Sequence, residues 1–125
     1  MNSDKLAQLA DQNYLNLETY RKNGQGVQTP IWFAEDSGVL YAYTLANSGK
    51  VKRLRRNPRV RVVPCSARGK PKGVWVEATA RIEDAAGTER GQRLLAQKYG
   101  WQKKIADLGS RLQKSSHVVI TIHFD

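Results

Sequence analysis

Residues 48–61 read "SGKVKRLRRNPRVR", with seven basic side chains and no acid. Two chemistries call for such a run. Nucleic acid is gripped by many cations spread along its phosphates. One compact phosphate needs fewer, provided they stand at a helix N-terminus, where free N–H groups and the helix dipole already favour an anion. Ser48 sits where an N-cap would, its hydroxyl placed to accept from a first-turn N–H; Val51 and Leu54 share one face, and Asn57-Pro58 ends the element. Ser48 and Lys50 would then complete a monophosphate cradle, with Gly49 allowing close backbone approach and Lys52 or Arg53 adding a second charge. Arg55, Arg56, Arg59 and Arg61 exceed that need and fit a longer anionic tail or nucleic acid. Single-strand readers interleave exposed aromatics with their cations, and this run has none, which counts against nucleic acid. A merely solvated helix face is the plain alternative.

The second chemical signal is Pro30 in "VQTPIWF". Proline cannot donate to a sheet ladder, so it marks an edge, a bulge or a place where something other than a strand meets the backbone. A planar ring with donor and acceptor edges would suit that gap, and Trp32, on the same face, could line it; an ordinary edge proline and a core tryptophan are the competing readings. Elsewhere the catalytic inventory is thin. His117 and His123 are too far apart for a shared metal and read as surface or interface residues, and Cys65 beside Pro64 reads as a packed thiol. Glu77 has no evident partner carboxylate. Neither a Ser/His/Asp order nor a phosphate-cradling Walker loop is present, so no catalytic residue and no metal ligand set is assigned.

The elements that must position these residues follow from periodicity. A short helix is expected over 4–12, with Leu6, Leu9 and Ala10 on one side. "NYLNLETY" (13–20) alternates Leu15, Leu17 and Thr19 against Tyr14, Asn16 and Glu18, as a half-buried strand does. An Asn-Gly turn leads into a second strand over 27–34, and "EDSG" into a third over 39–44, an antiparallel meander. After the basic helix come strands over 59–65 and 74–82, joined by a basic loop; in the latter Val74, Val76, Ala78, Ala80 and Ile82 share a face. A helix is expected over 85–99, weakened by Gly91, and another over 101–114, with Trp101, Ile105, Leu108 and Leu112 as its stripe. "HVVITIHF" (117–124) closes the chain as a sixth strand, with Val118, Ile120, Ile122 and Phe124 toward the core. Six short strands with few helices predict a mainly β fold, a small antiparallel barrel in one domain over 1–125.

The totals agree with that size. A chain of 125 residues supports one core. It lacks the long apolar run of a membrane span and the apolar core of a signal peptide near its start, so a cytoplasmic protein is expected. A lone cysteine excludes an internal disulfide. The net charge of +10 draws in anions without saying which.

Residues 14–82 resemble the pyridoxamine 5′-phosphate oxidase-like, FMN-binding split β-barrel proteins, and look closest to their branch of deazaflavin (coenzyme F-420)-dependent oxidoreductases. "TPIWF", the "SGK" turn and "RRNPRV" stand in the expected order and spacing, and "YGWQKK" (99–104) resembles the helical insert of that branch. The resemblance implies a six-stranded antiparallel split β-barrel that pairs as a homodimer, with the flavin-type ring in a groove between subunits. It implies that Thr29, Pro30 and Trp32 border the ring, that Thr44 lies near the ribityl chain, and that Ser48, Gly49, Lys50 and Lys52 or Arg53 hold the phosphate. The surplus arginines would meet the oligoglutamate tail that F-420 carries and FMN lacks.

With no acid–base pair evident, the redox chemistry would belong to the cofactor, the protein supplying orientation and exclusion of water. The expected function is therefore F-420-dependent reduction of a small conjugated molecule. An FMN-dependent oxidase or reductase of the same fold, and a non-enzymatic basic module for a cofactor or nucleic acid, are the alternatives.

Overall fold

The structure is a computed structural model and describes residues 6–99 and 117–124. Eight elements follow in chain order: β1 (Tyr14–Tyr20), β2 (Gly26–Asp36), β3 (Val39–Leu45), α1 (Gly49–Arg56), β4 (Arg59–Cys65), β5 (Val76–Ile82), α2 (Ala85–Tyr99) and β6 (His117–His123). The strands close into a barrel in the order β1-β2-β3-β6-β5-β4, every pair antiparallel. This is the mainly β, six-stranded antiparallel architecture the sequence predicts. The helix expected over 101–114 lies outside the described residues, as does all but the first residue of the 99–104 motif. The short helix expected over 4–12 is described from residue 6 as turns in which Leu9 N donates to Leu6 O and Ala10 N to Ala7 O. Among the described residues no helix is long and apolar enough to cross a membrane.

Inward-facing residues of all six strands fill the barrel: Leu15, Leu17, Ile31, Phe33, Leu40, Ala42, Val60, Val62, Val76, Ala78, Ala80, Ile120 and Ile122, with Leu54 of α1 against them. The Asn-Gly turn forms as expected: Gly24 takes φ +90, and Asn23 accepts from Gln25 N at 2.9 Å through its side chain.

Two strands depart from simple alternation. On β6, Val119 and Thr121 are buried as fully as Ile120 and Ile122, because α2 covers the second face. Gly91 makes that approach possible: a Cβ there would lie 2.6 Å from both γ-carbons of Val119. The glycine that weakens α2 in isolation is thus what lets it pack. On β1, Asn16 and Glu18 on the polar face are also buried, Asn16 under the loop that follows β4 and Glu18 between the Gln28 and Arg61 side chains of the neighbouring strands. β5 begins at Val76 rather than residue 74, since the Gln8 side chain takes both backbone groups of Val74, each at 2.8 Å, and leaves Val74 exposed.

The feature that matters for function is where β2 and β3 stop pairing. β2 pairs β1 from Gly26 to Trp32, but its ladder with β3 runs only from Phe33–Ala42 to Asp36–Val39. Beyond Phe33 the strands diverge: residues 30–32 have β1 on one side only, while Tyr43, Thr44 and Leu45 pair on to β6. Pro30 lies in the diverging stretch, where its missing N–H costs no ladder bond.

Candidate functional site

The divergence opens a cleft of about 370 Å³. One lip is Pro30, Ile31 and Trp32 of β2; the other is Tyr43, Thr44 and Leu45 of β3. Each lip carries an aromatic pair. Tyr14 of β1 packs against Trp32, ring centroids 5.8 Å apart, and His117 of β6 stacks on Tyr43 at 4.6 Å with the planes 9° apart. Gln92 of α2 donates to the Tyr43 hydroxyl at 3.2 Å, and burial pushes the pKa of that phenol up, so it stays neutral. Leu95 of α2 lines the cleft as well.

Lys50, in the first turn of α1, reaches this cleft and is the one permanently cationic group among its lining residues. No acidic partner meets it among the described residues. Burial, and after it the Arg53 guanidinium, pull its pKa below the ordinary lysine value. Ser48 is the N-cap the sequence predicts, its Oγ accepting from Val51 N at 3.4 Å, and Val51 and Leu54 anchor the buried face of the helix. Nothing among the described residues accepts from the N–H groups of Gly49 and Lys50, so the amino end of α1 remains available to an anion.

A second depression, of about 450 Å³, lies against α1 and the β1–β2 turn; Arg21, Lys22 and Asn23 of the turn face Gly49, Lys52, Arg53 and Arg56 of the helix, with no acid among them. The Arg53 Nε donates to Thr19 Oγ1 at 2.6 Å, and its guanidinium lies across Gly49, whose Cβ would stand 2.8 Å from the Arg53 Nη1. Gly49 therefore makes room for Arg53 as well as for any ligand. Burial, then Arg21 and Arg56, push the Arg53 pKa down, the mark of cations crowded without a counterion.

The nine residues singled out by sequence thus divide. Pro30, Trp32, Thr44 and Lys50 line the cleft; Gly49, Lys52 and Arg53 line the basin; Ser48 caps the helix between them. Thr29 lines neither, standing half-buried on β2 opposite Leu17. Of the surplus arginines only Arg56 joins the basin. Arg61 is held on β4 by Glu18, Nη2 to Oε1 at 2.7 Å, and Arg59 stands 3.7 Å from the exposed Glu77, so neither belongs to the anion site. Sequence reasoning missed Tyr14, Tyr43, Leu95 and His117. By sequence the histidine reads as a surface or interface residue, and only the pairing of Leu45 with His117 brings it beside the β3 lip. Cys65 is buried, as expected, and its thiol pKa is raised by burial. Among the described residues no group of three or more His, Cys, Asp or Glu could hold a metal.

Comparison with known proteins places this geometry in a wider set. The chain is similar to a conserved hypothetical protein from Mycobacterium tuberculosis, at TM-score 0.72 and 23% identity over 97% of this chain and 79% of that one. It is similar to the heme storage protein HutZ from Vibrio cholerae, at TM-score 0.69 and 16% identity over 98% and 88%. It is also similar to an F-420 reductase, at TM-score 0.60 and 22% identity over 94% and 90%. At these identities the likeness is one of fold. No curated protein matches. The family model for pyridoxamine 5′-phosphate oxidase matches residues 3–124. A match over nearly the whole chain, joined to a six-stranded barrel split between β2 and β3, shows that the chain belongs to the pyridoxamine 5′-phosphate oxidase family.

Proposed function

We propose that the protein is an oxidoreductase that binds the deazaflavin coenzyme F-420 across the split of its barrel and reduces a small, electron-poor conjugated molecule. The observation that carries this is Lys50: a half-buried ammonium on an aromatic cleft, without an acidic partner among the described residues and opposed by burial and by Arg53. An anion at the first turn of α1 would relieve both penalties.

The remaining residues fit the group. Tyr43 stacked with His117 offers a flat wall to a planar ring, and Tyr14 with Trp32, their planes 48° apart, gives the other lip an aromatic surface. The basin beyond Gly49 offers cations to the carboxylates of an oligoglutamate tail, which FMN lacks. Bound there, the reduced deazaflavin would supply a hydride. The chain's residues orient and exclude water: Ile31 and Leu95 give the cleft apolar surface, and the buried Thr44 lines it together with Lys50. Among the described residues no carboxylate lines the cleft, and in this reading solvent or a bound water supplies the proton that completes reduction. Trp32 and Leu45, 39% and 38% exposed, stand one on each lip, and a second copy of the chain laid over the split would cover both. A homodimer with the cofactor at its interface is part of the proposal.

Parallel titration with F-420 and FMN, followed by fluorescence or calorimetry, tests it. Tight F-420 binding with weaker FMN binding is expected. The reverse order assigns the protein to FMN, and binding of both without turnover of any conjugated acceptor makes it a carrier.

A further inference from the structure

A small patch of the β1–β2 ladder holds an unmet chemical demand. Across the two strands Tyr14 stands opposite Trp32 and Asn16 opposite Pro30, on one face. Three of these four residues line the cleft. The fourth, Asn16, is 3% exposed, and its Oδ1 is buried with no hydrogen-bond partner among the described residues. Its Nδ2 donates to Gly69 O at 3.0 Å, at the tip of the loop between β4 and β5. That tip also rests on the cleft wall: a Cβ at Gly69 would lie 3.6 Å from Asn16 Nδ2 and 3.7 Å from the Pro30 ring. Buried acceptors are satisfied in the great majority of folded proteins, so one left over beside a ligand cleft points to a donor that arrives with the ligand.

We propose that Asn16 is a ring-contacting residue: its amide oxygen accepts a hydrogen bond from an imide N–H on the edge of the planar group held between the lips. This rests on the function proposed above, and both flavin and deazaflavin rings carry such an N–H between two carbonyls. The loop tip admits the ring edge by shifting at Gly69, whose φ of +87 is free of side-chain strain. The shift gives up little, because the other bonds of this loop lie within it or at its stem: Ser66 N to Lys70 O, Gly69 N to Ser66 O, and Lys72 N to Pro64 O.

The test uses FMN, its N3-methylated analogue and F-420, titrated against the wild type and Asn16→Leu, with thermal melting of each apoprotein alongside. Wild type is expected to bind N3-methyl-FMN about tenfold more weakly than FMN, the worth of one hydrogen bond. Asn16→Leu is expected to lose about tenfold toward both FMN and F-420 and to stop distinguishing FMN from its methylated analogue. Its melting temperature should hold, since leucine removes an unsatisfied buried acceptor together with the single bond to Gly69. Equal wild-type affinity for FMN and N3-methyl-FMN overturns the proposal even if Asn16→Leu fails to fold. A variant that melts lower yet binds both rings as the wild type does also overturns it, leaving Asn16 a loop clasp. Binding of neither ring by the wild type overturns the function itself and this inference with it.

Discussion

The cleft and the basin share one short helix but are built on opposite principles. The cleft is walled by two aromatic pairs and apolar side chains around a single ammonium. The basin is an open surface of two turn cations and three helix cations with no walls. Partial burial strengthens the field of a lone charge and fixes its position, so the cleft can discriminate shape. Exposed cations act through a screened, long-range field that draws an anion in and tolerates its flexibility. A ligand with a compact phosphate and a trailing polyanion would use both; one with the phosphate alone would use the cleft.

Replacing Lys50 breaks the cleft side outright. Lys50→Met keeps the stem and removes the charge, and it should weaken both F-420 and FMN by about 1.5–3 kcal/mol, the range for a hydrogen bond to a charged group, with little dependence on salt. Isothermal titration at two ionic strengths checks it, and unchanged affinity would detach Lys50 from the phosphate.

Glu18 sharpens the contrast by showing an arginine that has its acid. Its carboxylate accepts from Arg61 Nε at 2.8 Å and Gln28 Nε2 at 3.0 Å. Desolvation raises its pKa, but hydrogen bonds from Gln28, Arg61 and Tyr20 outweigh it, and the net value falls below the ordinary 4.5. A depressed carboxyl contributes stability above its unfolded pKa and loses it as pH falls through the folded one. Acid melts should therefore show the wild type losing stability below pH 4.5. Glu18→Gln should cost about 2 kcal/mol near neutrality and show a flatter decline in acid.

Gly91→Ala tests the packed wall behind the cleft. Alanine favours the helix by about 1 kcal/mol, but its Cβ would press on Val119, and overpacking costs about 1–3 kcal/mol. A net loss of about 1 kcal/mol in thermal stability is expected, and a gain would mean that α2 rides free of β6.

The smallest effects belong to the basin. Arg53→Gln and Arg56→Gln should each weaken F-420 by roughly 0.5–1 kcal/mol, fading with added salt, and leave FMN nearly untouched. Equal losses for both ligands would deny the basin its separate role.

Much of the scaffold was legible because its signals are local. The bounds of β4 and α2 read from period alone coincide with the observed 59–65 and 85–99, and the Asn-Gly turn and the Ser48 cap declare themselves within four residues. The cleft was legible only in part. Pro30 marked the place where a ladder fails, but the lips exist because β2 and β3 part company after Phe33 and Ala42, which no local pattern records. His117 comes from the far end of the chain, and Asn16 and Glu18 read as a solvated face because what buries them, the loop after β4 for one and Gln28 with Arg61 for the other, is distant in sequence. The break at Asn57-Pro58 and the strand after it were legible, but the ion pairs that take Arg59 and Arg61 out of the anion site were not, since Glu77 and Glu18 lie far from them in sequence.

The most direct measurement is a crystal structure of the protein with F-420. The phosphate should lie against Lys50 and the amino end of α1, the ring between the Trp32 and Tyr43 lips, and the tail over Arg53 and Arg56. A ligand seated elsewhere, or a phosphate that leaves Lys50 without a counterion, would contradict the account.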